Sequence, residues 1–174
     1  MKLNVGCGNH YAPGWTNLDP NPGVSVRPDI VGSLTDLPRS VVCVTAVYLG
    51  HVLEHLPYDI VVPALRGLWE RCEPGAAVAV VGPDVDRARA LHADGAIDQA
   101  TLDGAVYGAG RWAGDVHLWE CTEAALLDAA AASGLADVRP VPVDSPSLDA
   151  FPIVSRAPWQ CAIHGTVPGN PTAA

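Results

Sequence analysis

Apolar and polar positions along this chain fall into blocks, each the length of one strand or one helix. Leu3–Val5 reads as a short buried strand that stops at Gly6, and Trp15–Leu18 as a second that stops at Asp19. Val41–Leu49 is longer, apolar throughout and rich in β-branched residues, the pattern of a central strand. From Asp59 to Cys72 the period changes. Val61, Leu65, Leu68 and Cys72 recur at helical spacing, Asp59 can cap the start, and Pro63 falls in the first turn, where its missing N–H costs little. Glu73-Pro74-Gly75 then breaks the chain ahead of another buried strand, Ala76–Val81. Thr122–Ser133 reads as a second helix with Thr122 as its cap and Gly134 just past its end. Val138–Val143 and Gln160–Val167 read as two closing strands, and 168–174 as a loose tail.

Strands alternating with helices predict an α/β fold with a mostly parallel sheet. Ligands in such sheets bind at the carboxyl ends of the strands, which here means just after Val5, Leu18, Leu49 and Val81. The 174 residues suffice for one domain, expected over 1–167. No apolar run reaches the roughly 18 residues of a membrane span, and Met1–Val5 lacks the long apolar stretch of a signal peptide, so the expected compartment is the cytoplasm. The five cysteines are scattered with no CxxC pair, and read as free thiols. A net charge of −9, with Lys2 the one lysine, argues against nucleic acid as a partner and towards a small-molecule substrate.

Gly6-Cys7-Gly8 follows the first strand, where glycines let a backbone approach a ligand closely. Asp19 ends the second strand, and a carboxylate there can accept from two ribose hydroxyls. Together they signal a nucleoside. The dinucleotide fingerprint fits poorly: Tyr11 stands where its third glycine belongs, and Asp19 comes only 13 residues after Gly6. A full helix hardly fits between the two strands, so no helix N-terminus remains to hold a pyrophosphate. S-adenosylmethionine carries no phosphate, and the spacing favours it.

The successive segments "LNVGCGNHYAPGWTNLDP", "DIVGSLTDLP", "VYLGHVLEHLPYD" and "EPGAAVAVVGPDVD" resemble, in order, the motifs of small bacterial class I, type 11 S-adenosylmethionine-dependent methyltransferases. The resemblance implies a Rossmann-like sheet of about seven strands, mostly parallel with the last strand antiparallel. It implies helices on both faces, with the first helix short or missing. It also implies methyl transfer, O- or N-directed, to a small molecule such as a sugar, a peptide or a natural-product intermediate, with S-adenosylhomocysteine as product. Carried over, Gly6, Cys7 and Gly8 would line the methionine and ribose, Asp19 would hold the ribose hydroxyls, and Pro20 would sit by the adenine. Ser33 and Leu34 would meet the adenine edge, Ser33 standing where the family usually has Asp. Gly50 and His51 would lie near the sulfonium. The alternative is a module that keeps this fold without catalysis, serving as a binding partner.

His51, Glu54 and His55 form H-x-x-E-H, also the string of a zinc-protease motif. On a helix the three would share one face, a geometry that can hold a metal. The string is ordinary in methyltransferases, where Glu54 and His55 orient helix and loops by hydrogen bonds, and on that reading no metal is expected. Candidate general bases are His51 and His117, with His10 and Tyr11 also near the first loop. Asp84 stands either at the substrate mouth or as a cap. His92 and His164 read as surface or structural. Tyr107, Trp112 and Trp119 either wall a planar substrate or pack a short cap. Residues 92–120 fall where this fold carries its substrate cover, so the site is expected to be open or closed by a second subunit in a homodimer.

Overall fold

Seven strands hydrogen-bond into one sheet in the computed structural model, which describes residues 1–21, 26–111, 114–153 and 155–169. They are β1 (Lys2–Val5), β2 (Thr16–Asp19), β3 (Ile30–Val31), β4 (Val44–Gly50), β5 (Cys72–Pro83), β6 (Ala136–Val141) and β7 (Gln160–Thr166). The order across the sheet is β3-β2-β1-β4-β5-β7-β6. Every pair is parallel except those of β7, which runs antiparallel to both β5 and β6. The progression reverses between β1 and β4, so the connections after those strands leave in opposite directions and open a crevice at their carboxyl ends.

Alternation along the strands decides which side meets which cover. Leu3, Val5, Val47, Leu49, Val78, Val80 and Ile163 point to one face. There they pack on α1 (Tyr58–Trp69) and α4 (Glu123–Ala132), through Val61, Leu65 and Leu68 of the first and Leu126 and Ala129 of the second. The opposite face is built differently. Tyr48, Ala79, Val81 and Ala162 are closed over by Leu148 and Phe151, which lie in the connection between β6 and β7, with Trp15 alongside. Two further helices, α2 (Val85–Ala93) and α3 (Gln99–Tyr107), follow β5 and pack on each other. No helix among the described residues is long and apolar enough to cross a membrane.

Several local expectations shift. α1 starts after Pro57, with Asp59 in its first turn and no side-chain cap, and Pro63 is its sixth residue. Cys72 opens β5 and is not part of α1. Glu73-Pro74-Gly75 does not break the chain ahead of the strand but bulges it from within: β5 pairs Cys72 with Val44, then Ala77 with Ala46, and Gly75 takes a φ of +80°. The central strand begins only at Val44, because Cys43 has a positive φ of 52°. α4 keeps its expected ends: the Thr122 hydroxyl accepts from the Ala125 N–H at 3.2 Å, and Gly134 has a φ of +91°. α2 and α3 fall in or beside the stretch read only as cover.

Candidate active site

The connection from β1 to β2 opens on two left-handed glycines, Gly6 (φ +64°) and Gly8 (φ +51°). A side chain at Gly6 would also collide with Val52, whose Cγ2 lies 2.6 Å from where a Cβ would stand. The loop is drawn onto the end of β2. The Cys7 N–H donates to the Leu18 carbonyl at 3.1 Å and the Gly8 N–H to Asp19 Oδ2 at 2.7 Å. Asp19 is almost fully buried and accepts a second bond, from the Asn21 N–H on Oδ1 at 2.8 Å. A carboxylate offers about four lone-pair positions, so capacity remains for two hydroxyls. Cys7 itself is buried, its thiol pushed up to about 11 by burial and by the charge of Asp19. It offers the crevice its backbone, not its sulfur.

No helix lies between β1 and β2. Two asparagines pointing away from α1 and α4 hold the loop instead. Asn4 Nδ2 donates to Asn17 Oδ1 at 2.9 Å and to the His10 carbonyl at 3.2 Å. Asn17 accepts from the Ala12 N–H at 2.8 Å and donates to the Trp15 carbonyl at 3.0 Å and to Asp29 Oδ2 at 3.0 Å. Both are buried polar groups with their bonding satisfied. Their sequence signal, polar residues at alternate positions of otherwise apolar strands, was visible but carried no partner.

A hollow of about 320 Å³ opens beyond Asp19, lined by Pro20, Val31, Gly32, Ser33, Asp36 and Pro38. Pro20 and Ser33 thus face one space, as the resemblance implied. Leu34 does not: its side chain is packed in the main core. Asp36 was not anticipated. The turn from Ser33 brings it round, its N–H donating to the Ser33 carbonyl and hydroxyl oxygens, each at 3.2 Å.

At the end of β4, Gly50 leaves room for a neighbour. A Cβ there would strike the Tyr48 hydroxyl and stand 2.5 Å from its Cζ. Because Tyr48 is buried, Gly50→Ala should cost about 1–3 kcal/mol of stability through overpacking. An unchanged urea midpoint would show that the ring has space to move.

His51 takes a left-handed φ of +56°, and both its ring nitrogens are engaged. Gln160 Oε1 accepts from the Ala157 N–H at 3.0 Å, which turns the Gln160 amide nitrogen towards His51 Nε2 at 2.7 Å. Nε2 therefore accepts, and Nδ1 donates to Glu54 Oε1 at 3.0 Å. This leaves no ring lone pair for a substrate proton. The turn that follows, Leu53–His55, is 3-10 and not α-helical, so His51 does not share a helix face with Glu54 and His55. The backbone cannot enter α1 until it has passed Pro57.

The stretch 116–119 lies against this turn. Leu118 N–H donates to the Glu54 carbonyl at 2.8 Å, Trp119 Nε1 to the Leu53 carbonyl at 3.1 Å, and His55 Nδ1 to the Val116 carbonyl at 3.0 Å. His117 Nδ1 donates to the Ala105 carbonyl at 2.9 Å, and its ring meets that of His55 edge-on with centroids 5.0 Å apart. Glu54 is fully buried. Burial pushes its pKa up, but the His51 bond and the fields of His51 and His55 outweigh it and leave the carboxyl below its ordinary value. Burial pulls the half-buried His117 below the usual histidine value, against the attraction of Glu54.

Other candidates are accounted for singly. Asp84 caps α2, accepting from the Arg87 N–H at 3.4 Å. His10 and Tyr11 line a second hollow, of about 610 Å³, facing the stretch 149–153. Tyr107 stands exposed while Trp119 packs on the Tyr58 ring, so these two do not form one wall. Trp112 lies outside the described residues. His92 Nδ1 donates to the Ile97 carbonyl at 3.1 Å, a local tie, and His164 packs on Phe151.

No family model matches the sequence, and no curated protein matches it. Solved structures do match its shape. An S-adenosylmethionine-dependent methyltransferase from Archaeoglobus fulgidus is 15% identical with a TM-score of 0.60, over 94% of this chain and 84% of that one. The N-methyltransferase NodS from Bradyrhizobium japonicum is 13% identical with a TM-score of 0.57, over 97% and 85%. Human N-acetylserotonin methyltransferase, solved with S-adenosylmethionine, is 13% identical with a TM-score of 0.56 over 97% of this chain. The chain has the class I methyltransferase fold. It spans about half the length of the human structure and of a Nostoc punctiforme structure, 47% and 51%. Gly8 and Asp19 meet at the ends of β1 and β2, and Pro20 and Ser33 line the hollow beside them. The His51 ring, at the end of β4, is turned to Glu54 and Gln160, and the side chains of Cys7 and Leu34 are buried.

Proposed function

We propose that this methyltransferase-fold domain binds S-adenosylmethionine in the crevice and transfers its methyl group to a small-molecule acceptor. The observation that carries the reading is Asp19. It is a buried carboxylate at the tip of β2, tied to the left-handed Gly8, and it stands next to a hollow lined by Pro20 and Ser33. That is a seat for a nucleoside, with no helix N-terminus behind it for a phosphate. The human and Archaeoglobus methyltransferases of the same fold support the choice of donor.

The donor is already activated, so the protein's work is to hold acceptor and methyl carbon in line and to keep water away. Orientation of this kind supplies roughly 7–11 kcal/mol of a barrier. His51 serves as a positioning residue: its ring is locked between Gln160 and Glu54 and fixes the turn after β4. On this reading α2, α3 and residues 116–119 lie on the acceptor side.

Calorimetric titration with S-adenosylmethionine and with S-adenosylhomocysteine tests this directly. Micromolar binding of both supports it, and no binding of either overturns it in favour of a catalytically silent module. Asp36 takes the part of the carboxylate missing at Ser33. Asp36→Ala should therefore weaken the donor about tenfold or more, the value of one hydrogen bond to a charged group. It should also erase any preference over the analogue whose adenine amino group is replaced by oxygen. Equal affinities of wild type and variant for the natural donor would remove Asp36 from the site.

A further inference from the structure

We propose that Glu54, His55 and His117 form a binding site for a first-row divalent metal ion. Each offers one ligand atom, and the three atoms lie within 4.8 Å of one another. The carboxylate is buried at the bottom and the two imidazoles are half-exposed at the rim, so an ion can enter from solvent. Two histidines and one carboxylate are a donor set used for zinc and for iron(II), with coordination positions left open.

The surroundings fit the set as well as the ligands do. A histidine that binds a metal through one nitrogen usually donates its other N–H to a carbonyl or carboxylate, which fixes the ring and its tautomer. Both rings do so here: His55 Nδ1 donates to the Val116 carbonyl and His117 Nδ1 to the Ala105 carbonyl, which makes Nε2 the lone-pair nitrogen of each. Glu54 Oε1 is held by His51 Nδ1, an outer hydrogen bond of the kind that supports a ligating carboxylate. A second acid is close by. Asp115 is buried two residues before His117, its Oδ2 is bound by Arg111, and its Oδ1 has no hydrogen-bond partner. A bound cation nearby would offset that orphaned oxygen.

The site is one hydrogen bond from His51, at the end of β4. Taken with the methyl-transfer reading, on which this role rests, open coordination positions on a bound cation would favour an oxygen-bearing acceptor able to chelate it.

The test is titration of the full chain with Co²⁺ in the absence of any methyl donor, in a Cys43→Ser background because that thiol is exposed. One equivalent should bind with a ligand-field spectrum and no thiolate charge-transfer absorption. His117→Ala and Glu54→Gln should each weaken it by more than about tenfold, and His51→Ala by roughly 10–100-fold through the outer bond. His92→Ala should leave it unchanged. Absence of stoichiometric binding, or binding indifferent to His117→Ala, overturns the site. Circular dichroism reports whether Glu54→Gln folds; if it does not, His55→Ala and His117→Ala decide. Because no donor is present, failure here leaves the titration with S-adenosylmethionine untouched, and failure of that titration leaves the metal result standing.

Discussion

Asp19→Ala should reduce the affinity for S-adenosylmethionine by roughly a hundredfold to ten-thousandfold. Two hydroxyls of the ribose would each lose a hydrogen bond to an ionised acceptor, worth about 1.5–3 kcal/mol apiece, or about 3–6 kcal/mol together. The variant also releases the Gly8 and Asn21 N–H groups, now held at 2.7 and 2.8 Å. The loop that meets the donor therefore loses its anchor along with the donor's partner. Asp19→Asn separates the two effects, since its amide oxygen can still accept from Gly8. It should bind at an intermediate level. Calorimetry against both S-adenosylmethionine and its demethylated product measures this. An Asp19→Ala protein that keeps its unfolding midpoint and binds as the wild type does would place the nucleoside elsewhere.

Asn17→Ala should be the most destabilising single change on the face away from α1 and α4. Asn17 is fully buried. Its loss strips the Ala12 N–H, one Asn4 N–H and the Trp15 carbonyl of their partner. The first two of these three are buried, and a buried polar group left unpaired costs about 1–3 kcal/mol, so those two predict a loss of roughly 2–6 kcal/mol in urea unfolding. Donor affinity should fall as well, because the same loop carries Gly6 and Gly8. Asn4→Ala removes fewer bonds and should cost less. A loss below about 1 kcal/mol for Asn17→Ala, the range of ordinary substitutions, would show that Trp15 and its contact with Phe151 hold the loop by themselves.

The two asparagines also mark where reading the chain in one dimension stops. The cores of every strand but β3 were legible, because side chains alternate with a period fixed by the strand itself, and the two residues of β3 are too few to show one. The loss of the first helix was legible too, in the short distance from Gly6 to Asp19. What replaces that helix was not, since Asn4 and Asn17 acquire meaning only when β1 and β2 lie side by side and the loop folds over them. Asp36 was hidden for a related reason: a turn at Ser33, and not a strand register, carries it into the hollow.

The sequence by itself determined the α/β alternation, though not β3, α2 or α3, along with the glycine turn, the acid at the end of β2 and the capped ends of α4. These follow from local rules of period, allowed φ and unpaired terminal N–H groups, which a short window of residues satisfies or violates alone. The tertiary structure decided the rest. It turned His51 from a candidate base into a locked bridge between Gln160 and Glu54, residues that meet only because β7 returns antiparallel beside β5. It also gathered His117 to Glu54 and His55, by laying residues 116–119 against the turn after β4. Buried donors and acceptors must find partners wherever the packed chain puts them, and that choice is made in space, not along the chain.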